Sequence, residues 1–107
     1  MPVIIASGIA TSIISSEVTL YSEIANRNYI LAINTSGMKS GDSTFLRLYT
    51  TVVSGMGLQL ADQDTISGTQ SVPIKFTDPI TSPSSISARI FQHMGTARNY
   101  PWELIAI

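Results

Sequence analysis

Few side chains in this chain are suited to chemistry. His93 is the sole histidine of the 107 residues, so histidine-dependent acid–base catalysis or zinc binding would rest on one imidazole and carboxylates from distant parts of the chain. It alternates with Arg89 and Phe91 on the less apolar side of the run from Ser85 to Met94, where a packed or solvated structural role is expected. Asp62-Gln-Asp64 sets two carboxylates on one side of an extended ribbon, a start toward a calcium site. A hard cation takes about six or more oxygens, and the turn glycine and closing glutamate of a calcium loop are missing, so the pair reads as a charged strand end near solvent. Serines and threonines are plentiful, but none lies in a Gly-x-Ser-x-Gly elbow and no glycine-rich phosphate loop leads into a helix. Glu17, Glu23, Asp42, Asp78 and Glu103 are too dispersed to nominate an acid and base pair. No catalytic residue, metal ligand or cofactor is assigned, and the chain is expected not to be an enzyme.

The elements that would carry these residues are strands. Gly41 and Gly55 bracket the longest β-favouring run: Leu46, Leu48, Thr50 and Val52 fall on one side, and Phe45, Arg47, Tyr49, Thr51 and Val53 on the other. Similar alternation is read from Val18 to Ile24, from Tyr29 to Ile33, from Leu58 to Asp64 and from Ile86 to Met94. Val72-Pro-Ile-Lys-Phe76 reads as a short edge strand, because its proline cannot donate to a ladder and its lysine blunts an exposed edge. Trp102, Leu104 and Ala106 share one side of the C-terminal segment and are expected to face the core. The apolar start reads either as a first strand around Ile9 to Ile14 or as an arm over residues 1–12 that is ordered on a neighbouring subunit. With seven or eight strands and no amphipathic helix, the expected fold is one all-β domain spanning residues 1–107, an antiparallel jelly-roll-like sandwich.

Composition narrows the function classes. Hydrophobic residues make up 44% and charged residues 12%, about half of the roughly 25% charged share of an ordinary domain. That surface suits a protein held against others, and self-association is expected. A net charge of -1 provides no basic field for nucleic acid. The absence of cysteine excludes disulfides and thiolate metal sites. The apolar start lacks a basic leader and is too short to span a bilayer, so a product made in the cytoplasm, with no membrane partner, is expected. Candidate interface residues are Val3, Ile4, Ile5 and Ile9 from the start, and Tyr49 and Phe91 from the second faces of their strands. An alternative reading is a small glycan-binding module that uses Trp102 or Tyr49 as a sugar platform.

From about residue 26 onward the chain resembles small all-β structural proteins of tailed bacteriophages. The resemblance rests on Tyr29-Ile-Leu-Ala-Ile-Asn, Gly41-Asp42, Leu46-Arg-Leu-Tyr-Thr, Val72-Pro-Ile-Lys-Phe and Gly95-Thr-Ala-Arg-Asn-Tyr-Pro-Trp-Glu-Leu. The family's C-terminal pattern, Gly-Thr-Gly-Arg-Ser-aromatic-Pro-Trp-Glu, is met at Gly95, Thr96, Arg98, Tyr100, Pro101, Trp102 and Glu103 and departed from at Ala97 and Asn99. The resemblance implies a virion component, foremost a capsid decoration (cement) protein that stabilises the shell, with a tail or head-completion role as the variant. It further implies the major capsid protein as partner, a homotrimer, and a place on the capsid surface after synthesis in the host cytoplasm.

Overall fold

The computed structural model describes residues 3–51, 57–82 and 84–107. Nine strands run through them: β1 (Val3–Thr11), β2 (Glu17–Ile24), β3 (Arg27–Asn34), β4 (Ser43–Thr50), β5 (Gln59–Ser67), β6 (Ile74–Phe76), β7 (Ile80–Ser82), β8 (Ser85–Met94) and β9 (Asn99–Ala106). They form two antiparallel sheets, β1-β9-β3-β6 with β7 also on β3, and β2-β8-β4-β5. Counting β6 and β7 as one interrupted strand, this is the eight-stranded double Greek key of a jelly roll. The expected all-β sandwich is the observed fold.

The interruption has a local repair. Between β6 and β7 the chain passes through Thr77-Asp-Pro79, and Thr77 stands in for a ladder residue. Its hydroxyl accepts from the Leu31 amide at 3.0 Å, and its own amide donates to the Leu31 carbonyl at 2.9 Å. Buried Leu31 therefore keeps its backbone bonds although the partner strand is broken.

The core lies between the four inner strands, where period-two alternation turns every second side chain inward. Tyr29, Leu31 and Ile33 come from β3, Leu46 and Leu48 from β4, Ile86, Ala88 and Ile90 from β8, and Tyr100, Trp102 and Leu104 from β9. Each fully buried Leu or Ile contributes about 1.5–3 kcal/mol, so these four strands hold the sandwich together. The inward sides expected for β4 and for the C-terminal segment are the observed ones. Val52 and Val53, expected at the end of the β4 run, lie outside the described residues.

Three expectations change. The start of the chain is not an arm: Val3–Thr11 pairs with β9 along its length, from Val3↔Ala106 to Thr11↔Asn99. The expected strand around Ile9 to Ile14 lies earlier in the chain, because the C-terminal strand offers a ladder to residues 3–11, with Gly8 paired to Trp102. Trp102 is 9% exposed, so it presents no open ring to a sugar. Asp62 and Asp64 are not a solvated strand end. They pair with Leu48 and Leu46 and so share the inward side of edge strand β5, because an irregularity beside Leu48 sends Leu60 outward while Asp62 turns in. Burial, followed by the neighbouring charges of Asp62 and Asp78, raises the Asp64 carboxyl above the ordinary aspartate value.

Candidate interaction surfaces

The outer side of the second sheet is built from β2, β8 and β4. Their register places Glu17 beside Phe91 and Phe45, and Thr19 beside Arg89 and Arg47. Arg47 and Arg89 would repel each other as direct cross-strand neighbours; Glu17 sits between them. Its carboxylate accepts from Arg89 at 2.8 Å, from Arg47 at 3.0 Å and from the Tyr49 hydroxyl at 2.7 Å. Burial opposes ionisation of Glu17, but the bonds from Tyr49, Arg89 and Arg47 outweigh it and hold the carboxyl below the ordinary glutamate value. For Tyr49, burial and the adjacent Glu17 push the phenol upward.

Aromatic packing completes this face. Phe45 stacks on His93 with ring centroids 4.5 Å apart, and the Arg47 guanidinium lies 4.9 Å from the Phe45 centroid and 5.0 Å from that of Phe91. Arg89 lies over the Tyr49 ring at 4.3 Å. The candidates Tyr49 and Phe91 thus belong to a half-buried network whose rings and charges are already engaged. Tyr49, the second proposed sugar platform, has a guanidinium on its ring. His93 is part of the same stack, and its buried Nδ1 has no hydrogen-bond partner. Among the described residues no group of three or more His, Cys, Asp or Glu side chains is placed to hold a metal ion.

The outer side of the first sheet is of a different kind. Ile4, Ile105 and Ile30 lie in one cross-strand row; Ser7, Glu103, Ala32 and Phe76 in the next; Ile9 with Pro101, and Asn34 with Ile74, follow. Ile9 is 72% exposed and Phe76 61%, with Ile4 and Ile74 also open. A shallow groove of about 670 Å³ crosses these strands, with Ile9, Ile74, Phe76, Pro101 and Ile105 as apolar lining and Glu103 as its one charged residue.

The interface candidates are thereby separated. Ile4 and Ile9 stand on the first sheet's outer side, Val3 at the exposed start of β1, and Ile5 is a half-buried residue at a β1 irregularity that packs against the core. Tyr49 and Phe91 are on the opposite side of the sandwich. Ile30, Ile74, Phe76 and Ile105 complete the apolar side and were not among the candidates. Their signal was present: Val72, Ile74 and Phe76 alternate with Lys75, and Ile105 shares the parity of Pro101 and Glu103 opposite the core residues.

At one end of the sandwich, the loops before β4 and β9 lock together. Asp42 is 2% exposed; it accepts from the Lys39 amide at 2.8 Å, from the Thr96 amide at 3.1 Å and from Arg98 Nε at 2.8 Å. Burial raises the cost of its charge, yet the Arg98 bond and the two amides outweigh that cost and hold the carboxyl below the ordinary aspartate value. Gly95 makes this arrangement possible: at φ +95° a Cβ there would come 2.0 Å from Asp42 Oδ1 and 2.7 Å from Asp42 Cα. Alongside, buried Gln92 accepts from the Tyr100 hydroxyl at 3.0 Å and donates to the carbonyls of Met94 and Thr96 at 3.0 and 2.7 Å, leaving no polar end unmatched.

The fold and these surfaces define the chain as a jelly-roll protein with one internally bonded face and one open apolar face. Among solved structures it is similar to the mitogen derived from Yersinia pseudotuberculosis, with a TM-score of 0.62 over 97% of this chain and 86% of that one, at 19% sequence identity. That likeness is one of fold. No family model and no curated protein matches the chain.

Proposed function

We propose that the chain is a non-enzymatic virion structural protein of a tailed phage, a capsid decoration protein that seats the outer side of its first sheet on the shell formed by the major capsid protein. The observation that carries this reading is the open apolar side running from Ile4 and Ile9 through Ile105 to Ile74 and Phe76. An apolar patch rimmed by polar residues marks an interaction site on a chain with so few charges. The resemblance supplies the class of partner, and two of the motifs that carry it come together in the fold. Gly41-Asp42 and Gly95-Thr-x-Arg98 are far apart in sequence yet meet through the Asp42 carboxylate, so the pattern describes one structural device rather than scattered residues. Jelly rolls are also a recurrent architecture of viral shells.

The test is saturable co-sedimentation with purified capsids. Ile74→Ser together with Phe76→Ser, both on exposed positions, is expected to lose at least tenfold in capsid affinity while the fold is retained. Unchanged affinity would overturn the assigned surface, and a purified virion that lacks the chain by mass spectrometry would overturn the function. Imaging of labelled particles is expected to place the chain on the shell; label confined to the tail would instead give it a tail or head-completion role.

A further inference from the structure

Among the described residues the two sheets have four edges, and three of these carry features that discourage pairing with another chain. β5 turns Asp62 and Asp64 to its inward side, and β2 carries Glu17 and Glu23 with an irregularity between Thr19 and Tyr21. The β6 and β7 edge consists of two pieces of three residues each, one of them containing Lys75. β1 differs. Its nine residues, Val3-Ile-Ile-Ala-Ser-Gly-Ile-Ala-Thr11, include no charge and no proline, and among the described strands β9 is its one ladder partner.

We propose that β1 is a dimerisation edge. A second copy of this chain adds its own β1 antiparallel across a two-fold axis at Ser7, joining the two first sheets into one. The side each residue faces limits the pairing to registers centred on a residue, and among these an axis at Ser7 sets like against like. Pairing with β9 puts Ile4, Ser7 and Ile9 on the outer side with Ile105, Glu103 and Pro101, and Ala6, Gly8 and Ala10 on the inner side with Leu104, Trp102 and Tyr100; Ile5 is the extra residue at the irregularity. With Ile5 set aside, the strand is palindromic about Ser7. Ser7 meets Ser7, Ala6 meets Gly8, Ile4 meets Ile9 and Val3 meets Ala10, each pair on a common side. A slip by one residue would oppose outer and inner side chains throughout.

This self-matching selects a second copy over an unrelated strand. Symmetric pairing sets no like charges opposite each other, because β1 has none. It also brings Ile4 and Ile9 of each copy together, so that the two open apolar sides become one continuous surface. A closed two-fold contact is isologous and ends at a dimer, in place of the homotrimer that the resemblance implies.

The experiment uses the intact chain alone and is independent of capsid binding. Sedimentation equilibrium at micromolar concentration is expected to give a mass of two chains of 11.5 kDa. Ser7→Lys sets two ammonium groups opposite each other at the axis, on an exposed position, and is expected to give a single-chain mass with a cooperative melt retained. The chain has no cysteine, so Ser7→Cys provides one thiol facing its symmetry mate, within reach of a disulfide. On oxidation it is expected to cross-link to a covalent dimer, while Thr11→Cys at the end of the strand stays single. A one-chain or three-chain mass for the intact protein, a Ser7→Lys variant that remains dimeric, or equal cross-linking of the two cysteine variants would overturn the proposal.

Discussion

On the outer side of the second sheet, Glu17 is bonded to two arginines and a tyrosine, and three rings pack beneath the guanidinium groups. On the outer side of the first sheet, isoleucines and Phe76 stand exposed around a single glutamate. Both sides come from the same alternation of strands, and their inner sides feed the same core. The difference lies in whether the outward residues can satisfy one another. Arginine, glutamate and aromatic side chains on neighbouring strands bond among themselves, so that side is finished within one chain. Isoleucines on a pleated surface have flat contact to offer and nothing to bond, so their free energy is gained only when another surface covers them. Substitution on the second sheet should therefore be felt as stability, and substitution on the first as association.

The two sides share the locked loop end, and the largest effect is expected there. Gly95→Ala forces a Cβ into Asp42 at a positive φ. Left-handed geometry alone costs a non-glycine residue about 1–3 kcal/mol, and moving Asp42 breaks a buried charge from Arg98 and two amides. A total of about 3 kcal/mol or more is expected, measured as a loss of denaturant midpoint, with capsid binding and self-association falling together. Normal stability for this variant would mean that the loop end is not the common support of both sides.

Next in size is Glu17→Ala. It leaves Arg47 and Arg89 directly opposed and removes the acceptor of the Tyr49 hydroxyl. Lost bonds to a charged group of this kind cost about 1–3 kcal/mol, a fall in melting temperature of about 5–15 °C. Capsid affinity, measured below the new melting temperature, is expected to stay within twofold. A variant that melts like the parent, or one that folds but no longer binds, would erase the distinction between the two sides.

Acid should act on the same side and on the loop end. Glu17 and Asp42 are both held below their ordinary values, so the unfolded chain takes up protons at a pH where the native chain does not. Their contribution is fully present above the ordinary carboxylate range of about pH 4 and is lost as pH falls through the depressed native values. Melting temperature is expected to drop steeply below about pH 4, and less steeply in Glu17→Gln, which has already lost one of the two groups. Equal acid slopes would show that Glu17 is not among the titrating groups that matter.

Much of this architecture was legible in the chain. The inward sides of β4, β8 and β9 follow from alternation alone, and Pro73 with Lys75 marks an edge. What could not be read was which strands lie side by side. Glu17 is 30 residues from Arg47 and 72 from Arg89, and only the order β2-β8-β4 brings them together. The same holds for Asp42 and Gly95. Local irregularities also escaped: the one beside Leu48 turned Asp62 inward, and the one at Ile5 let β1 stay in register with β9 from residue 3 to residue 11. The open side of the first sheet is half visible in the sequence, since Ile4 and Ile9 stand out by their apolarity whereas Ile74 and Phe76, beside Pro73 and Lys75, read as an edge and not as a surface.

The smallest effect on stability belongs to that open side and completes the contrast. Ile74 and Phe76 lie on an edge piece of three residues and direct their side chains outward from β3 partners Asn34 and Ala32. Truncating them removes no core contact, and exposed substitutions of this kind fall within about 0.5 kcal/mol either way. The double variant Ile74→Ser/Phe76→Ser is therefore expected to melt within a few degrees of the parent, the reverse of Glu17→Ala. Its ladder is secure because the Ala32 and Asn34 pairings are made by backbone, and Thr77 holds Leu31 independently of both side chains. If the double variant instead loses several kcal/mol, these residues are packed within the chain, and the first sheet's outer side is a second internal surface with nothing to offer a partner.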